Sequence, residues 1–315
     1  MMIMEKTAFL FAGQGAQYAG MGKELYDNYE CARKIFDGAN DILNINIKDL
    51  CFYGPDDELS KTENTQPAIV TTSMAILEVL KEHNIRAQYA AGLSLGEYSA
   101  LIYGGVFNFE DGLQLIRKRG EIMERAVPSG KGAMAAIIGI EREKIESCCR
   151  EMSKYGVIEV ANYNCPGQIV ISGEKDLVEK TAASLKEMGA LKTIMLNVSG
   201  PFHSSLLKEA GERLEEEIKK VQINAPEVKI VSNYDNEFYN DSPKDTVYKL
   251  KNQISSSVRW EDNVRKLIDD GVNTFIEVGP GKTLSSFVKK IDRSKKIYNV
   301  EDIKSLNKLI QEIKM

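Results

Sequence analysis

The feature that most constrains the fold of this chain is the pentapeptide Gly92-Leu93-Ser94-Leu95-Gly96, which matches the pattern G-x-S-x-G. In that pattern a serine occupies a sharp turn between a strand and a helix, and the glycines let the two elements pack closely. An uncharged segment, residues 87–91, precedes the motif, and a helical segment, residues 97–103, follows it. The motif predicts an α/β fold with Ser94 as a nucleophile at a helix N-terminus. The alternative is an ordinary turn in which Ser94 only caps the helix.

The order of predicted elements indicates a large α/β domain that is interrupted by a smaller one. We expect a first strand at Thr7–Phe11, a helix over residues 18–40, a helix that begins at Pro67, and a strand over 227–232. Between residues 129 and 198 the pattern changes to strand-helix-strand-strand-helix-strand, which is the ferredoxin-like order. We therefore assign residues 1–128 and 199–315 to the large domain and residues 129–198 to an inserted subdomain.

Composition excludes several classes of protein. The net charge is −5, so there is no basic excess to neutralise nucleic-acid phosphates. The apolar run at residues 133–140 is far too short to cross a membrane, and no signal peptide is evident. The five cysteines form no C-x-x-C pair, which argues for a reducing, cytoplasmic setting and against a disulfide framework or a zinc site.

A glycine-rich turn, Gly13-Gln14-Gly15, follows the first strand. A dinucleotide fingerprint needs a small residue where Tyr18 stands, and no Gly-Lys-Ser/Thr ends the turn, so we exclude a phosphate loop. A tight turn with free backbone amides remains. In a nucleophile elbow the residue after the serine, here Leu95, supplies one oxyanion donor, and Gln14 of the glycine-rich turn is the candidate for another.

A serine nucleophile needs a base, and the chain has two histidines. His83 falls at the end of a helix, where its expected role is structural. His203 lies in a Gly-Pro-bounded loop before a helix, and loops commonly carry function. His203 is therefore the preferred base. No acidic residue stands out as the third group, so we expect a backbone or amide carbonyl to orient the imidazole.

Arg119 is anomalous because it falls in the apolar stripe of the predicted helix over residues 109–126. Its neighbours Arg117 and Lys118 point elsewhere and are expected to be solvated. A buried guanidinium needs an anionic partner. Two partners remain open from the sequence, a structural carboxylate and a carboxylate on a substrate.

Taken together, these segments resemble the malonyl-CoA:acyl carrier protein transacylases, which are related to the acyltransferase domains of polyketide and animal fatty acid synthases. The resemblance covers essentially the whole chain in the same order. It rests on residues 11–17 (FAGQGAQ), 92–98 (GLSLGEY), Arg119, 162–168 (NYNCPGQ), 201–204 (PFHS) and 277–281 (EVGPG). It implies a hydrolase-like α/β core with a parallel sheet and an inserted ferredoxin-like subdomain.

The resemblance also implies roles for individual residues. Ser94 is the acylated nucleophile and His203 its base, while Arg119 holds the malonyl carboxylate. Three groups of supporting residues complete the site: Gln14 and Leu95 as oxyanion donors, Asn162, and Gln253, which fixes His203 through a carbonyl. The family usually has histidine where this chain has Leu93 and proline where it has Ala12, and neither change removes a catalytic group.

The implied activity is transfer of a malonyl group from malonyl-CoA to the phosphopantetheine thiol of acyl carrier protein, in fatty acid biosynthesis. We expect no cofactor beyond these substrates, no metal, no nucleic acid and no membrane partner, and a monomer in the cytoplasm. Three alternatives stay open: a polyketide acyltransferase with another extender unit, a serine hydrolase or thioesterase, and a non-catalytic carrier-binding module.

Overall fold

The computed structural model describes residues 6–128 and 130–313, which form two β-sheets surrounded by helices. The strands of this part of the chain are β1 Thr7–Phe11, β2 Tyr89–Gly92, β3 Gly132–Ile138, β4 Ile158–Cys165, β5 Gln168–Glu174, β6 Lys192–Met195, β7 Lys229–Ile230, β8 Thr274–Val278 and β9 Lys296–Val300. The order is β7-β2-β1-β8-β9 in one sheet and β4-β5-β3-β6 in the other.

The helices fill the connections between strands. They are α1 Lys23–Asn28, α2 Glu30–Leu43, α3 Ile47–Tyr53, α4 Asp56–Leu59, α5 Thr62–Glu82, α6 Leu95–Tyr103, α7 Phe109–Glu124, α8 Arg142–Met152, α9 Lys175–Glu187, α10 Lys208–Ile218, α11 Pro243–Gln253, α12 Trp260–Asp269, α13 Thr283–Ile291 and α14 Ile303–Ile313. Two short 3₁₀ turns, Ser153–Tyr155 and Ser205–Leu207, complete them. None of these helices combines the length and the apolar character needed to span a bilayer.

The five-stranded sheet is parallel and places the ends of three strands side by side. Phe11 at the end of β1 pairs with Gly92 at the end of β2 and with Val278 at the end of β8. Phe9 and Phe11 enter one apolar core, whereas Ala8 and Leu10 enter the other, so the sheet is buried on both faces. The chain leaves β1 first toward β2 and later returns to β8 on the opposite side. This reversal opens a crevice at the carboxyl ends, where open α/β sheets bind ligands.

The four-stranded sheet is antiparallel and has helices α8 and α9 against it. Its element order is the predicted strand-helix-strand-strand-helix-strand, and its own core includes Ile137, Ile158 and Ile171. The mixed architecture of a parallel sheet plus this antiparallel sheet confirms the predicted fold class. The antiparallel sheet is tied to the segment between α11 and α12, where Val258 N donates to Ala161 O at 2.8 Å and Tyr163 N donates to Val258 O at 3.0 Å.

Several predicted boundaries are wrong. The helix expected over residues 18–40 is interrupted at Tyr29, whose φ of −124° and ψ of 124° are extended, so that α1 and α2 are separate. The apolar periodicity continues across that break, which is why the sequence suggested one helix. The strand expected over 227–232 shrinks to Lys229–Ile230, and α13 and β9 were not predicted.

Pro67 does not begin a helix but lies inside α5, which starts at Thr62. Proline has no N–H to donate to the carbonyl four residues earlier, that of Glu63. Arg117 Nη1 donates to that carbonyl at 2.8 Å and to Asn64 Oδ1 at 2.7 Å. Arg117 is therefore not simply solvated, as the helical pattern suggested, since it replaces the hydrogen bond that Pro67 cannot make.

The two glycines of the G-x-S-x-G motif are required by close approaches of main chain. A Cβ added at Gly92 would lie 1.8 Å from the carbonyl carbon of Gly96, and one at Gly96 would lie 2.0 Å from Phe11 O. Atoms at such distances overlap, and backbone cannot move aside as a flexible side chain can. The tight turn around Ser94 therefore depends on the absence of both side chains.

We predict that Gly96→Ala destabilises the protein by about 3 kcal/mol or more, or prevents folding, because the new methyl group overlaps the main chain of β1. Gly38→Ala is the matched control: Gly38 lies within α2 and an added Cβ meets nothing within 4 Å. That variant should gain about 0.5–1 kcal/mol from helix propensity. Urea unfolding measures both, and a Gly96→Ala protein as stable as the parent would contradict the packing described.

Candidate active site

Ser94 lies at the junction of β2 and α6 in a conformation that few non-glycine residues adopt. Its φ is 53° and its ψ is −100°, and its side chain makes no capping hydrogen bond to α6. Positive φ costs a residue with a Cβ about 1 kcal/mol or more, so the surrounding contacts must hold it in place. The interpretation of Ser94 as a simple helix cap is therefore wrong.

Asn233 provides part of that support. Ser94 N donates to Asn233 Oδ1 at 2.6 Å, and Asn233 Nδ2 donates to Gly92 O at 2.8 Å. Asn263 Oδ1 accepts from the same Nδ2 at 2.9 Å. One amide side chain thus bonds the main chain on both sides of the turn. Because Ser94 N is engaged in this way, it is not free to bind a substrate oxyanion.

His203 lies directly against the serine hydroxyl. The distance between Ser94 Oγ and His203 Nε2 is 2.7 Å, and that between His203 Nδ1 and Gln253 O is 2.9 Å. A carbonyl oxygen can only accept, so Nδ1 carries the proton and Nε2 presents its lone pair to the serine. The main-chain carbonyl of Gln253 is thus the orienting group that the sequence led us to expect in place of an acid. His203 also has a positive φ of 58°.

The environment of His203 disfavours its charged form. Burial, and secondarily the positive charge of Arg119, lower the pKa of His203 to about 4. The imidazole is therefore neutral at pH 7 and able to accept a proton. The other histidine, His83, is not brought to this site: it lies at the C-cap of α5, with its ring 6.1 Å from that of Tyr29.

Arg119 lies beneath the serine and is 1% exposed. Its Nη1 donates to Gln66 Oε1 at 2.8 Å, and its Nη2 donates to Ser94 Oγ and to Gln253 Oε1, each at 3.1 Å. The ring of Tyr98 lies 5.2 Å from the guanidinium carbon. Within residues 6–128 and 130–313 no carboxylate lies within ion-pair distance of Arg119. The structural carboxylate that the sequence left open as a partner is therefore not found in direct contact, and the hydrogen-bond acceptors of this cation are neutral.

Gln253, at the end of α11, touches every member of this group. Besides its bonds to His203 and Arg119, its Nε2 donates to Ser94 O at 2.9 Å and to Glu97 Oε2 at 2.7 Å. Glu97 is fully buried, and burial raises the pKa of its carboxyl group to about 7. The site is therefore one continuous hydrogen-bonded layer and not a pair of isolated side chains.

A cleft of about 290 Å³ opens above Ser94 and His203. Gln14 and Asn162 lie in its wall, from the turn after β1 and from β4 respectively. The backbone amides of Gln14 and Leu95 have no hydrogen-bond partner among the described residues, so both can serve as donors to a bound oxygen. The apolar part of the lining comes from β3, β5, α7, α13 and the connecting segments: Leu93, Met123, Met134, Ala136, Val170, Leu196, Val198, Phe202, Leu284 and Phe287.

Three residues of this layer escaped the sequence analysis, namely Gln66, Glu97 and Asn233. Glu97 offered a signal, because it follows Ser94 by three residues and shares the first turn of α6. Gln66 and Asn233 offered none, since they are neutral amides whose roles arise from contacts 53 and 139 residues away in sequence. Within the described ranges, no three histidine, cysteine or acidic side chains are grouped so as to hold a metal ion.

The chain matches known proteins over nearly all of its length. Residues 8–314 match the family model described as Acyl transferase domain. A Bacillus subtilis (strain 168) protein named Malonyl CoA-acyl carrier protein transacylase is 46% identical over 312 residues, which are 99% of this chain and 98% of that protein.

Solved structures agree. The malonyl CoA-acyl carrier protein transacylase from Clostridium perfringens superposes with a TM-score of 0.94 at 47% identity, over 98% of this chain and 97% of the other. A structure described as a type II PKS acyl-carrier protein in complex with its malonyl-transacylase contains a chain that superposes with a TM-score of 0.95 at 35% identity, over 98% of this chain and 99% of the other.

The lowered pKa of His203 leads to a pH prediction that needs no knowledge of the substrate. We expect the rate at which a fluorophosphonate labels Ser94 to stay level from pH 8 to about pH 5 and to fall with a midpoint near about 4. The neutral base exists above its pKa and is lost as the pH falls through it. In Arg119→Gln the midpoint should rise, because a repelling charge is gone.

Ser94→Ala gives the background labelling at each pH. A midpoint at the ordinary histidine pKa of about 6.5 in the parent protein would contradict the environment inferred for His203.

Proposed function

The chain belongs to the acyl transferase domain family, among proteins named malonyl CoA-acyl carrier protein transacylase, and from that premise we propose that it is an acyl-carrier-protein S-malonyltransferase. It moves a malonyl group from malonyl-CoA to the phosphopantetheine thiol of an acyl carrier protein through an ester on Ser94. The observation that carries the proposal is the position of Ser94 Oγ, 2.7 Å from a neutral base and 3.1 Å from a buried cation.

In the first half-reaction Ser94 Oγ attacks the thioester carbonyl and gives its proton to His203 Nε2. The tetrahedral intermediate collapses, the carbon–sulfur bond breaks, and the CoA sulfur takes the proton from His203 as it leaves. In the second half-reaction His203 takes the proton of the carrier's thiol and the sulfur attacks the carbonyl of the malonyl-serine ester. The carbon–oxygen bond to Ser94 then breaks, and Ser94 Oγ takes the proton from His203. The first half-reaction moves the acyl group from a sulfur to Ser94 Oγ, and the second moves it from Ser94 Oγ to a sulfur, so one base serves both.

The backbone amides of Gln14 and Leu95 are the proposed donors to the oxyanion. Leu95 N is the first amide of α6, so the helix dipole adds to its effect. Gln14 is held in its turn partly by its side chain, whose Nε2 donates to Thr62 Oγ1 at 3.3 Å. Asn162, on β4, faces the same cleft and supports the substrate from the opposite wall.

Arg119 is the proposed partner of the malonyl carboxylate. Its contacts with Gln66, Ser94 and Gln253 are all to neutral oxygens, so its charge is not cancelled by a direct ion pair. A carboxylate that enters beside Ser94 meets a cation already fixed in place. An acetyl group has no such carboxylate and gains nothing from this residue.

The remaining expectations follow from the same site. The neighbour solved with an acyl-carrier protein supports a carrier as acceptor for this chain, in a fatty acid or polyketide pathway. We propose that the protein acts as a monomer and uses no cofactor beyond these two substrates. All five cysteines are free, as expected of a protein in the reducing cytoplasm.

The central test is the acyl-enzyme. After brief exposure to malonyl-CoA, peptide mass spectrometry should find a malonyl adduct on Ser94, absent in Ser94→Ala, that disappears when carrier protein with a phosphopantetheine arm is added. Release to water as fast as to the carrier would indicate a hydrolase, and an adduct elsewhere would refute Ser94 as the nucleophile.

Arg119→Ala should lower kcat/KM for malonyl-CoA by about 100-fold, because charged hydrogen bonds of the type proposed contribute about 1.5–3 kcal/mol each. Acetyl-CoA should be used no worse than by the parent. Lys118→Ala, which removes an exposed cation one residue away, is the control and should change neither substrate. Equal loss of malonyl and acetyl transfer in Arg119→Ala would show that Arg119 supports the fold of the site and does not select the acyl group.

A further inference from the structure

Glu97 is a buried acid for which the proposed reaction has no use. It lies in the first turn of α6, three residues after Ser94, and has no exposed surface. Tyr239 Oη donates to its Oε1 at 2.5 Å, while Gln253 Nε2 at 2.7 Å and Asn233 N at 3.2 Å donate to its Oε2. Both oxygens are thus satisfied, as a buried carboxyl group requires.

These contacts determine the orientation of the Gln253 side chain. An amide nitrogen has two N–H groups, and those of Gln253 go to Ser94 O and Glu97 Oε2. A side chain turned by 180° would place its oxygen against these two acceptors. The bond to Glu97 therefore leaves Gln253 Oε1 facing Arg119 Nη2 at 3.1 Å.

We propose that Glu97 is a positioning residue for the transfer reaction, which acts by holding the side chain of Gln253. Gln253 in turn contacts three residues of the site: its side chain bonds the main-chain carbonyl of Ser94 and the guanidinium of Arg119, and its main-chain carbonyl bonds His203. Glu97 touches none of the reacting atoms. The inference rests on the proposed function, since it assigns Glu97 a role in that reaction.

The hydrogen bond, and not the negative charge, is what positions Gln253. Among the described residues Glu97 makes no ion pair, and burial raises the pKa of its carboxyl group to about 7, so it is readily neutralised near neutral pH. A protonated Glu97 can donate to Tyr239 Oη and still accept from Gln253 with its other oxygen. What matters is therefore the length of the side chain at position 97, because it places an acceptor oxygen against Gln253 Nε2. A glutamine has the same length and also offers an oxygen.

Three substitutions at position 97 separate the effect of side-chain length from that of negative charge. Glu97→Gln keeps an acceptor at the same distance and should retain malonyl transfer within about threefold of the parent. Glu97→Asp keeps the charge but is one methylene short, and should lower kcat by about 10-fold or more with little change in KM. Glu97→Met removes the acceptor and should lower kcat by about 100-fold. If Glu97→Asp is more active than Glu97→Gln, charge matters more than side-chain length and the inference is wrong.

A double-mutant cycle tests whether Glu97 acts through Gln253. Gln253→Met removes the side-chain amide but keeps the main-chain carbonyl that bonds His203. In that background Glu97→Met should cost much less than it does alone, because only its bonds to Tyr239 and Asn233 N remain to be lost. For two residues that act independently, the fold-losses in rate would multiply. Glu277→Gln is the matched control, because Glu277 is also a buried acid but accepts from Leu284 N and Ser285 N and has no contact with Gln253. In the double variant, the fold-losses in transfer rate caused by Glu277→Gln and by Gln253→Met should multiply.

Two readouts keep this test independent of the proposed activity. Malonyl transfer is measured beside labelling of Ser94 by a fluorophosphonate, which needs no acyl-CoA. If the parent protein labels but transfers no malonyl group, the proposed function fails, and the order Glu97→Gln above Glu97→Asp above Glu97→Met in labelling still tests the inference. If transfer is normal and all three variants match the parent in both assays, the inference fails and the function stands. Should Glu97→Met not fold, the Gln and Asp pair decides.

Discussion

The close approach of α6 to β1 is the constraint on which the rest of the site depends. With no side chain at Gly92 or Gly96, the main chain after β2 turns back within contact of Phe11 O and starts α6 there. Because residues three apart share a face of a helix turn, this start projects Ser94 and Glu97 into one buried polar layer. The loop that carries His203 and the end of α11 that carries Gln253 then meet that layer from other parts of the chain.

How much of this could be predicted depended on whether the chemistry of a residue stood out locally. Ser94 lay in a motif, Arg119 interrupted an apolar stripe, and His203 was the histidine in a loop, so their proximity could be anticipated. Pro67 suggested a helix start because proline is common in the first turn of a helix, and nothing in the neighbouring sequence shows that Arg117 bonds the carbonyl that Pro67 leaves free. Gln66 and Asn233 belong to the same class, since an amide acquires its role only from the tertiary contacts it makes.

The electrostatics of the site without substrate are set by one cation, Arg119, and one base, His203, in the same buried layer. Arg119 helps to lower the pKa of His203, so the imidazole is neutral but weakly basic. An imidazolium that forms beside the guanidinium is unfavourable, which favours prompt transfer of its proton to the departing sulfur. A carboxylate bound to Arg119 would offset this repulsion and strengthen the base, and so an anionic acyl group would improve the catalyst that acts on it.

The choice of amides as the resting partners of Arg119 follows from the same argument. A buried guanidinium is expensive to leave unpaired, and a protein carboxylate in direct contact would satisfy it fully. A substrate carboxylate would then have to displace that group and leave it buried without a partner. Gln66 and Gln253 accept hydrogen bonds from Nη1 and Nη2 of Arg119 without cancelling its charge, while the acid of this layer, Glu97, is held one amide further away. The guanidinium is thus stabilised enough for the protein to fold with it buried, and it still attracts an anion.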